Sequence, residues 1–266
     1  MIMNKKRIDI LLVEKGLAES RNQAQSLVMA GEVRVDGEMV HKSSAQVSEE
    51  AHIEVKQQPR FVSRGGKKLA AALEAFQVDV KDKVCADVGA STGGFTDCLL
   101  QNGAKKVYAI DVGYGVLHWK LRNDPRVVVM ERTNARYLDI LPDPVDLVTI
   151  DASFISLSLI LPAVRDWFEP LYGQTIALIK PQFEAGRKAA AAHAGVIKDE
   201  DVHRSVLEET LISAMAIGFY PFGLIASPIR GPKGNVEFLV DFRLVPSESP
   251  ASLTQMIDQA LRTIPG

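Results

Sequence analysis

Along the first 55 residues, apolar positions recur first at helical and then at alternating spacing. Ile8, Leu11 and Leu12 share one face of a predicted helix from Arg7 to Lys15, and Gly16 is placed to stop it. Ser20 and Gln23 have capping-box spacing, and Ala24, Leu27 and Val28 form an apolar face up to Gly31, so a second helix is expected. Val33 and Val35 then alternate into Asp36-Gly37, a tight-turn signal, with Met39 and Val40 beyond it and a further strand predicted at His52 to Val55. The pattern is two helices followed by a small sheet. Its core is marginal for so short a segment, as in many modules whose purpose is to bind something.

Lys56 to Arg60 is polar and carries Pro59, which reads as a linker. The predicted division is a small α+β domain over residues 1–55, a linker over 56–62 and a large domain over 63–266. In the large domain, helical and β-rich runs alternate. Helices are predicted at Lys68 to Phe76, Phe95 to Gln101 and Leu157 to Phe168. Strands are predicted at Val84 to Val88, Val107 to Asp111, Val127 to Met130, Val145 to Ile150 and Thr175 to Ile179. This alternation implies an α/β, doubly wound, mostly parallel sheet of the Rossmann-like kind, covered on both faces. After Ile179 come a polar, alanine-rich loop (Glu184 to His193) and a helix from Asp201 to Ile217. Strands follow at Phe219 to Ala226 and Val236 to Leu244, too close together for an intervening helix, so they should pair antiparallel.

Composition narrows the function classes. The 266 residues are 47% hydrophobic and 24% charged, as expected of a globular chain with a substantial core. A net charge of −2 is not the strongly basic balance that announces nucleic-acid binding, so any such affinity must be local. Cys85 and Cys98 lack metal or redox spacing and read as reduced packing residues; no metal is expected. The amino terminus runs into an amphipathic helix instead of a secretory signal, and no apolar run approaches the roughly 20 residues of a membrane span. A cytoplasmic, non-membrane protein is the expectation, and a monomer, since both sheet faces are used internally.

The densest chemistry lies at Asp87-Val88-Gly89-Ala90-Ser91-Thr92-Gly93-Gly94-Phe95-Thr96, where a buried strand turns into a helix at the ligand-binding edge of an open sheet. Gly89, Gly93 and Gly94 let backbone approach a ligand closely. A dinucleotide fingerprint would need glycine at 91, where the backbone meets the pyrophosphate; the chain has Ser91. Asp87 would repel phosphate but suits the ammonium and sulfonium of S-adenosylmethionine, which is therefore the predicted cofactor. Thr92 and Phe95 belong to the same loop, and Asp111, closing the next strand, is placed to accept hydrogen bonds from ribose hydroxyls.

Ser63 to Leu69, the Asp87 to Thr96 loop, Asp151-Ala152-Ser153-Phe154-Ile155-Ser156, Leu178 to Glu184 and Gly234 to Phe238, in this order, resemble the TlyA/hemolysin-A family of ribosomal RNA methyltransferases over almost the whole chain. The large domain is similar to FtsJ-type ribose 2′-O-methyltransferases, and the first 55 or so residues resemble the RNA-binding module of small-subunit ribosomal protein four. The resemblance implies a catalytic tetrad at Lys68, Asp151, Lys180 and Glu237, with Lys68 preferred over Lys67 because it directly precedes Leu69. It also implies a contact from Asn134 to the adenine edge.

The tetrad is chemically reasonable. A ribose hydroxyl is a weak nucleophile, so transfer requires alignment with the sulfonium methyl and a destination for the proton. Desolvation of Lys180 beside the cation of Lys68 would free its amine to take that proton, whereas Asp151 and Glu237 would hold the lysines charged; the two effects oppose each other. Phe154 and Phe183 are read either as pocket lining or as core.

Lys5, Lys6, Arg7, Lys15, Arg21 and Arg34 flank the first two helices, and Arg60 and Arg64 lie at the junction. From Lys5 to Arg60 nine basic residues face nine acidic ones, so charge alone leaves an ordinary solvated surface as an equal reading. The resemblance favours ribosomal RNA or ribosomal subunits as the partner. The competing functions are a methyltransferase for an RNA base or a protein, and a membrane-active hemolysin. The chain has no Asn-Pro-Pro-Tyr-like motif at the Asp151 position and no amphipathic lipid-binding helix.

Overall fold

A computed structural model describes residues 5–18, 20–56, 59–169, 172–185, 196–231, 233–248 and 252–265. Gln57 and Gln58 of the predicted linker, and most of the alanine-rich loop after Glu184, lie outside the described residues. The chain divides into two compact units, Met1–Pro59 and Arg60–Gly266.

In the first unit, β1 (Lys5–Arg7) leads into α1 (Ile8–Glu14), followed by α2 (Arg21–Met29), β2 (Val33–Val35), β3 (Glu38–Met39), β4 (Gln46–Ser48) and β5 (Ile53–Val55). Ser20 caps α2 by accepting from the Gln23 amide at 3.3 Å. Asp36 and Gly37 both have positive φ, which suits the tight β2–β3 turn. Strands order β3-β2-β5, while β1 and β4 form a separate antiparallel pair that the sequence pattern did not reveal. Ile8, Leu12, Ala24, Leu27, Val28 and Val33 make the core.

The second unit contains α3 (Gly65–Ala75), β6 (Val84–Val88), α4 (Gly94–Gln101), β7 (Lys106–Ile110), α5 (Trp119–Arg122), β8 (Val127–Met130), β9 (Leu147–Ile150), α6 (Leu161–Arg165), β10 (Gln174–Ile179), α7 (Pro181–Glu184), α8 (Glu200–Ala216), β11 (Tyr220–Ala226), β12 (Phe238–Arg243) and α9 (Leu253–Arg262). Its seven-stranded sheet runs β11-β12-β10-β9-β6-β7-β8, with β6 to β10 parallel and β12 antiparallel to both of its neighbours, β10 and β11.

Two predicted helices differ from the structure. The first begins earlier, at Gly65, because Gly65 and Gly66 let its first turn lie close against Phe61 and α4; a β-carbon on Gly66 would stand 2.3 Å from the Phe61 ring. The Leu157 to Phe168 helix is split into a 3-10 turn (Leu157–Leu159) and α6, with Pro162 in the first turn of α6. Cys85 and Cys98 are unpaired and buried, and burial pushes each thiol up to about 12.

Candidate active site

The chain leaves β6 toward β7 and β8, then crosses back to lay β9 and β10 on the other side. The carboxyl ends of β6 and β9 therefore flank a topological switch point, where open α/β sheets bind ligands. The loop leaving β6 is shaped for close approach: Gly89, Ser91 and Gly93 all have positive φ. At Gly89 a β-carbon would stand 2.7 Å from the Asp151 carbonyl oxygen, so the β6 and β9 exits touch backbone to backbone.

Two cavities meet at this loop and share Gly89, Ser91 and Asp151. One, of about 430 Å³, has apolar walls from Ile110, Val112, Ala152 and Ile155, with Asp111 and Asn134 among its polar groups. The other, of about 420 Å³, is lined by Ser63, Arg64, Lys68, Thr92, Gly94 and Phe95. The Asp111 carboxylate accepts the Ser91 amide at 2.8 Å and the Gly113 amide at 2.7 Å, which fixes its orientation at the cavity wall. Asn134 caps a 3-10 turn by accepting from the Arg136 amide at 3.1 Å.

This arrangement fits S-adenosylmethionine: an apolar slot beside an oriented acid suits an adenosine, and the adjoining glycine-lined cavity can take the remainder. Two predicted cofactor contacts are placed differently. Asp87 does not face the crevice; it is fully buried and receives hydrogen bonds from Thr96 Oγ1 at 2.6 Å and Thr149 Oγ1 at 3.2 Å. Burial pushes its carboxyl up to about 7 against those bonds. Asp87 thus ties the β6 exit to α4 and β9 instead of offering charge to a ligand. Gly93 lines neither cavity, and a side chain there would collide with Leu121 and Leu117.

The four predicted catalytic residues come together as two ion pairs. Lys68, on α3, reaches Glu237, just ahead of β12, at 2.5 Å, and both are buried. The adjacent Lys67 is exposed, which separates the two candidates. Lys180, following β10, meets Asp151 at 2.5 Å and donates to Ser153 Oγ at 2.9 Å. Its ammonium also lies 5.8 Å from the Phe183 ring centroid. Phe154 is not core: it is 89% exposed, has φ +65°, and packs on Phe183 with centroids 4.8 Å apart.

Sequence reasoning assigned no role to Ser153, Thr96, Thr149 or Glu184. Thr149 offered a signal, a lone polar residue in a buried strand; the others became visible only through partners distant in the chain. Glu184 accepts from Ser156 Oγ at 2.6 Å and from the Leu157 amide at 2.9 Å, and burial raises its carboxyl above the usual carboxylate range.

The predicted RNA-contacting residues are distributed unevenly. Arg7 is committed through both Nε and Nη2 to the buried Asp9, which also receives Arg21 Nε and Gln25; together they hold that carboxyl well below its ordinary value. Lys6 pairs with Glu14 at 2.8 Å, and Arg34 donates to the Gly37 carbonyl. Lys5 is exposed, as is Arg21 in part. In the second unit, Arg60 lies over the Phe61 ring and Arg64 lines the Lys68 cavity. Among the described residues no cluster of His, Cys, Asp or Glu has metal-binding geometry, and no helix is long and apolar enough to cross a membrane.

Both units of the chain match known families. An FtsJ-like methyltransferase model matches residues 61–244, and an S4 domain model matches residues 6–53. The chain is 50% identical over 244 residues to the candidate rRNA methyltransferase YqxC of Bacillus subtilis, covering 90% of this chain and 86% of that one. It is 46% identical over 246 residues to the 16S/23S rRNA (cytidine-2′-O)-methyltransferase TlyA of Mycobacterium tuberculosis, with 89% of each covered. A solved structure of a candidate hemolysin from Streptococcus thermophilus aligns with a TM-score of 0.71 at 43% identity, over 98% of this chain and 97% of that one.

Proposed function

The chain belongs to the FtsJ-like methyltransferase family, and on that premise we propose that its site methylates a cytidine ribose of ribosomal RNA at the 2′-hydroxyl. It is an S-adenosylmethionine-dependent methyltransferase, and an S4 domain precedes its catalytic part. S-adenosylmethionine, when bound, supplies an electrophilic methyl group on sulfur. Asp111 would hold the cofactor's ribose, Asn134 would meet its adenine edge, and the glycine loop would admit the rest. The choice of cytidine follows the TlyA relative, whose name specifies cytidine-2′-O transfer.

The observation that carries the reading is that two lysine–carboxylate pairs, Lys68–Glu237 and the partly exposed Lys180–Asp151, each place one member, Lys68 and Asp151, in the wall of one crevice. Lys180 is oriented by Asp151 and Ser153 and presents its remaining N–H to the ribose hydroxyl. Methyl transfer would release the hydroxyl proton, for which the Asp151 carboxylate, reached through Lys180, would be the acceptor. As an ion pair, the two carry no net charge between them. Lys68, fixed by Glu237, supplies a second cation that steers the substrate. Alignment and a proton acceptor are what a weak hydroxyl nucleophile lacks in water.

Residues 1–55 serve as the RNA-binding domain and Arg60–Gly266 as the catalytic unit; the linker expected over 56–62 is shorter, because Phe61 is buried in the core of the second unit and the Val62 amide donates to Asp97. Lys5, Lys6, Arg21 and Arg34 supply phosphate contacts in the first unit, and Arg60 and Arg64 supply them ahead of α3. The test is to incubate the protein with methyl-labelled S-adenosylmethionine and undermethylated ribosomal subunits, then digest the RNA to nucleosides. Label in 2′-O-methylcytidine is expected; label on a base or on protein would overturn the ribose assignment.

A further inference from the structure

We propose that Glu184 is a positioning residue for methyl transfer, clamping the Asp151–Ser156 loop against the Lys180 segment; this rests on the function proposed above. Two loops leave neighbouring parallel strands, β9 and β10, and all the chemistry of the Lys180 side depends on their mutual position. The loops are joined in register. Lys180 meets Asp151 and Ser153, Phe183 packs on Phe154, and Glu184 receives Ser156 Oγ and the Leu157 amide, one on each carboxylate oxygen.

Glu184 is the outermost tie: it gives the Leu157 amide an acceptor and adds to the bonds that Ser156 Oγ makes with the Ser158 amide and hydroxyl. The Leu157 amide is an orphan donor at the start of the 3-10 turn, and Ser156 is its cap. A bidentate carboxylate fixes both groups, and so fixes where the loop ends. Between the two fixed ends sits Phe154, held at φ +65°, a conformation that a non-glycine residue keeps only where its surroundings impose it.

The same loop forms a wall of the 430 Å³ cavity through Ala152, Ser153, Phe154 and Ile155. Glu184 lines neither of the two crevice cavities. It faces a separate polar cavity of about 200 Å³ with Ser158, Glu209 and Ser213. Its influence on the reaction therefore runs through the loop and not through contact with reactants. A loop displaced by about 1 Å is enough to cost on the order of a hundredfold in rate.

Glu184→Ala, Glu184→Gln, Ser156→Ala and the Glu184→Ala/Ser156→Ala double variant are compared with the parent for S-adenosylhomocysteine binding by calorimetry, and for transfer to undermethylated ribosomal subunits. Glu184→Ala is expected to weaken S-adenosylhomocysteine binding by about fivefold or more and to lower kcat by about tenfold or more, with KM for RNA nearly unchanged. Glu184→Gln keeps an acceptor for the Leu157 amide and a polar partner for Ser156, so it should stay within about threefold of the parent. The double variant should be no worse than Glu184→Ala alone. Parent-like binding and kcat in Glu184→Ala, a Glu184→Gln defect equal to that of alanine, or additive losses would each overturn the clamp. If Glu184→Ala does not fold, parent-like binding and kcat in Ser156→Ala would do the same. A parent that binds S-adenosylhomocysteine but methylates no ribosomal RNA would sink the proposed function, while the binding comparison still decides the clamp.

Discussion

Gly89 lies so close to Asp151 that a β-carbon at 89 would stand 2.7 Å from the Asp151 carbonyl oxygen, with the glycine at φ +79°. The cofactor loop and the catalytic loop are thus one packed unit at the switch point. Gly89→Ala must distort both. We expect it to weaken S-adenosylhomocysteine binding by about tenfold or more and to destabilise the protein by about 1–3 kcal/mol, measured by calorimetry and denaturant unfolding.

Lys68 and Glu237 form an ion pair withdrawn from water, where removing one partner strands the other. Glu237→Ala should destabilise the protein by about 3 kcal/mol or more, whereas Lys68→Met combined with Glu237→Leu should recover much of that stability. Neither variant should transfer methyl groups at more than a small fraction of the parental rate. Equal stability of the single and double variants would show that the pair is not buried as described.

Gly231 backs the Glu237 carboxylate, and a β-carbon there would lie 2.6 Å from Glu237 Oε1. Gly231→Ala should push the carboxylate off Lys68 and lower kcat by about tenfold or more. Its thermal midpoint should fall by much less than that of Glu237→Ala, because the charge remains and only moves.

These features differ in how legible they were. The ends predicted for Val84–Val88 and Val127–Met130 are the observed ones: the first is a central parallel strand, almost wholly buried, and the second, a partly buried edge strand, is an unbroken apolar run between Arg126 and Glu131. The helix Leu253–Arg262 went unseen: it follows a Pro- and Ser-rich stretch, and its apolar positions Met256, Ile257, Ala260 and Leu261 acquire meaning only from the sheet and the α8 helix they cover. Lys68 and Glu237 are 169 positions apart, so their pairing came from resemblance and not from spacing. Asp87 is an acid at a strand end, which in the sequence advertises charge; its burial beneath the crevice depends on Thr96 and Thr149, brought to it by the fold.

Burial of Asp87 also sets a pH dependence. Its folded value near 7 lies above the ordinary carboxyl value of 3.8, so the folded state binds more protons between those limits, and stability falls as pH rises through that window. From pH 5 to pH 8 the parent should lose about 2–3 kcal/mol more than Asp87→Asn. Urea unfolding of both proteins at the two pH values checks this, and the opposing contribution of His203, whose value is lowered by burial, cancels in the difference.

The most direct measurement of the central claim is alkaline hydrolysis of ribosomal RNA from undermethylated subunits treated with S-adenosylmethionine and either the parent or Lys180→Ala. A 2′-O-methyl group blocks cleavage at its own linkage. The parent should create an alkali-resistant linkage after a cytidine, and Lys180→Ala, binding S-adenosylhomocysteine as the parent does, should not. Complete cleavage in the parental sample despite methyl incorporation, or an equal resistant yield from Lys180→Ala, would contradict the account.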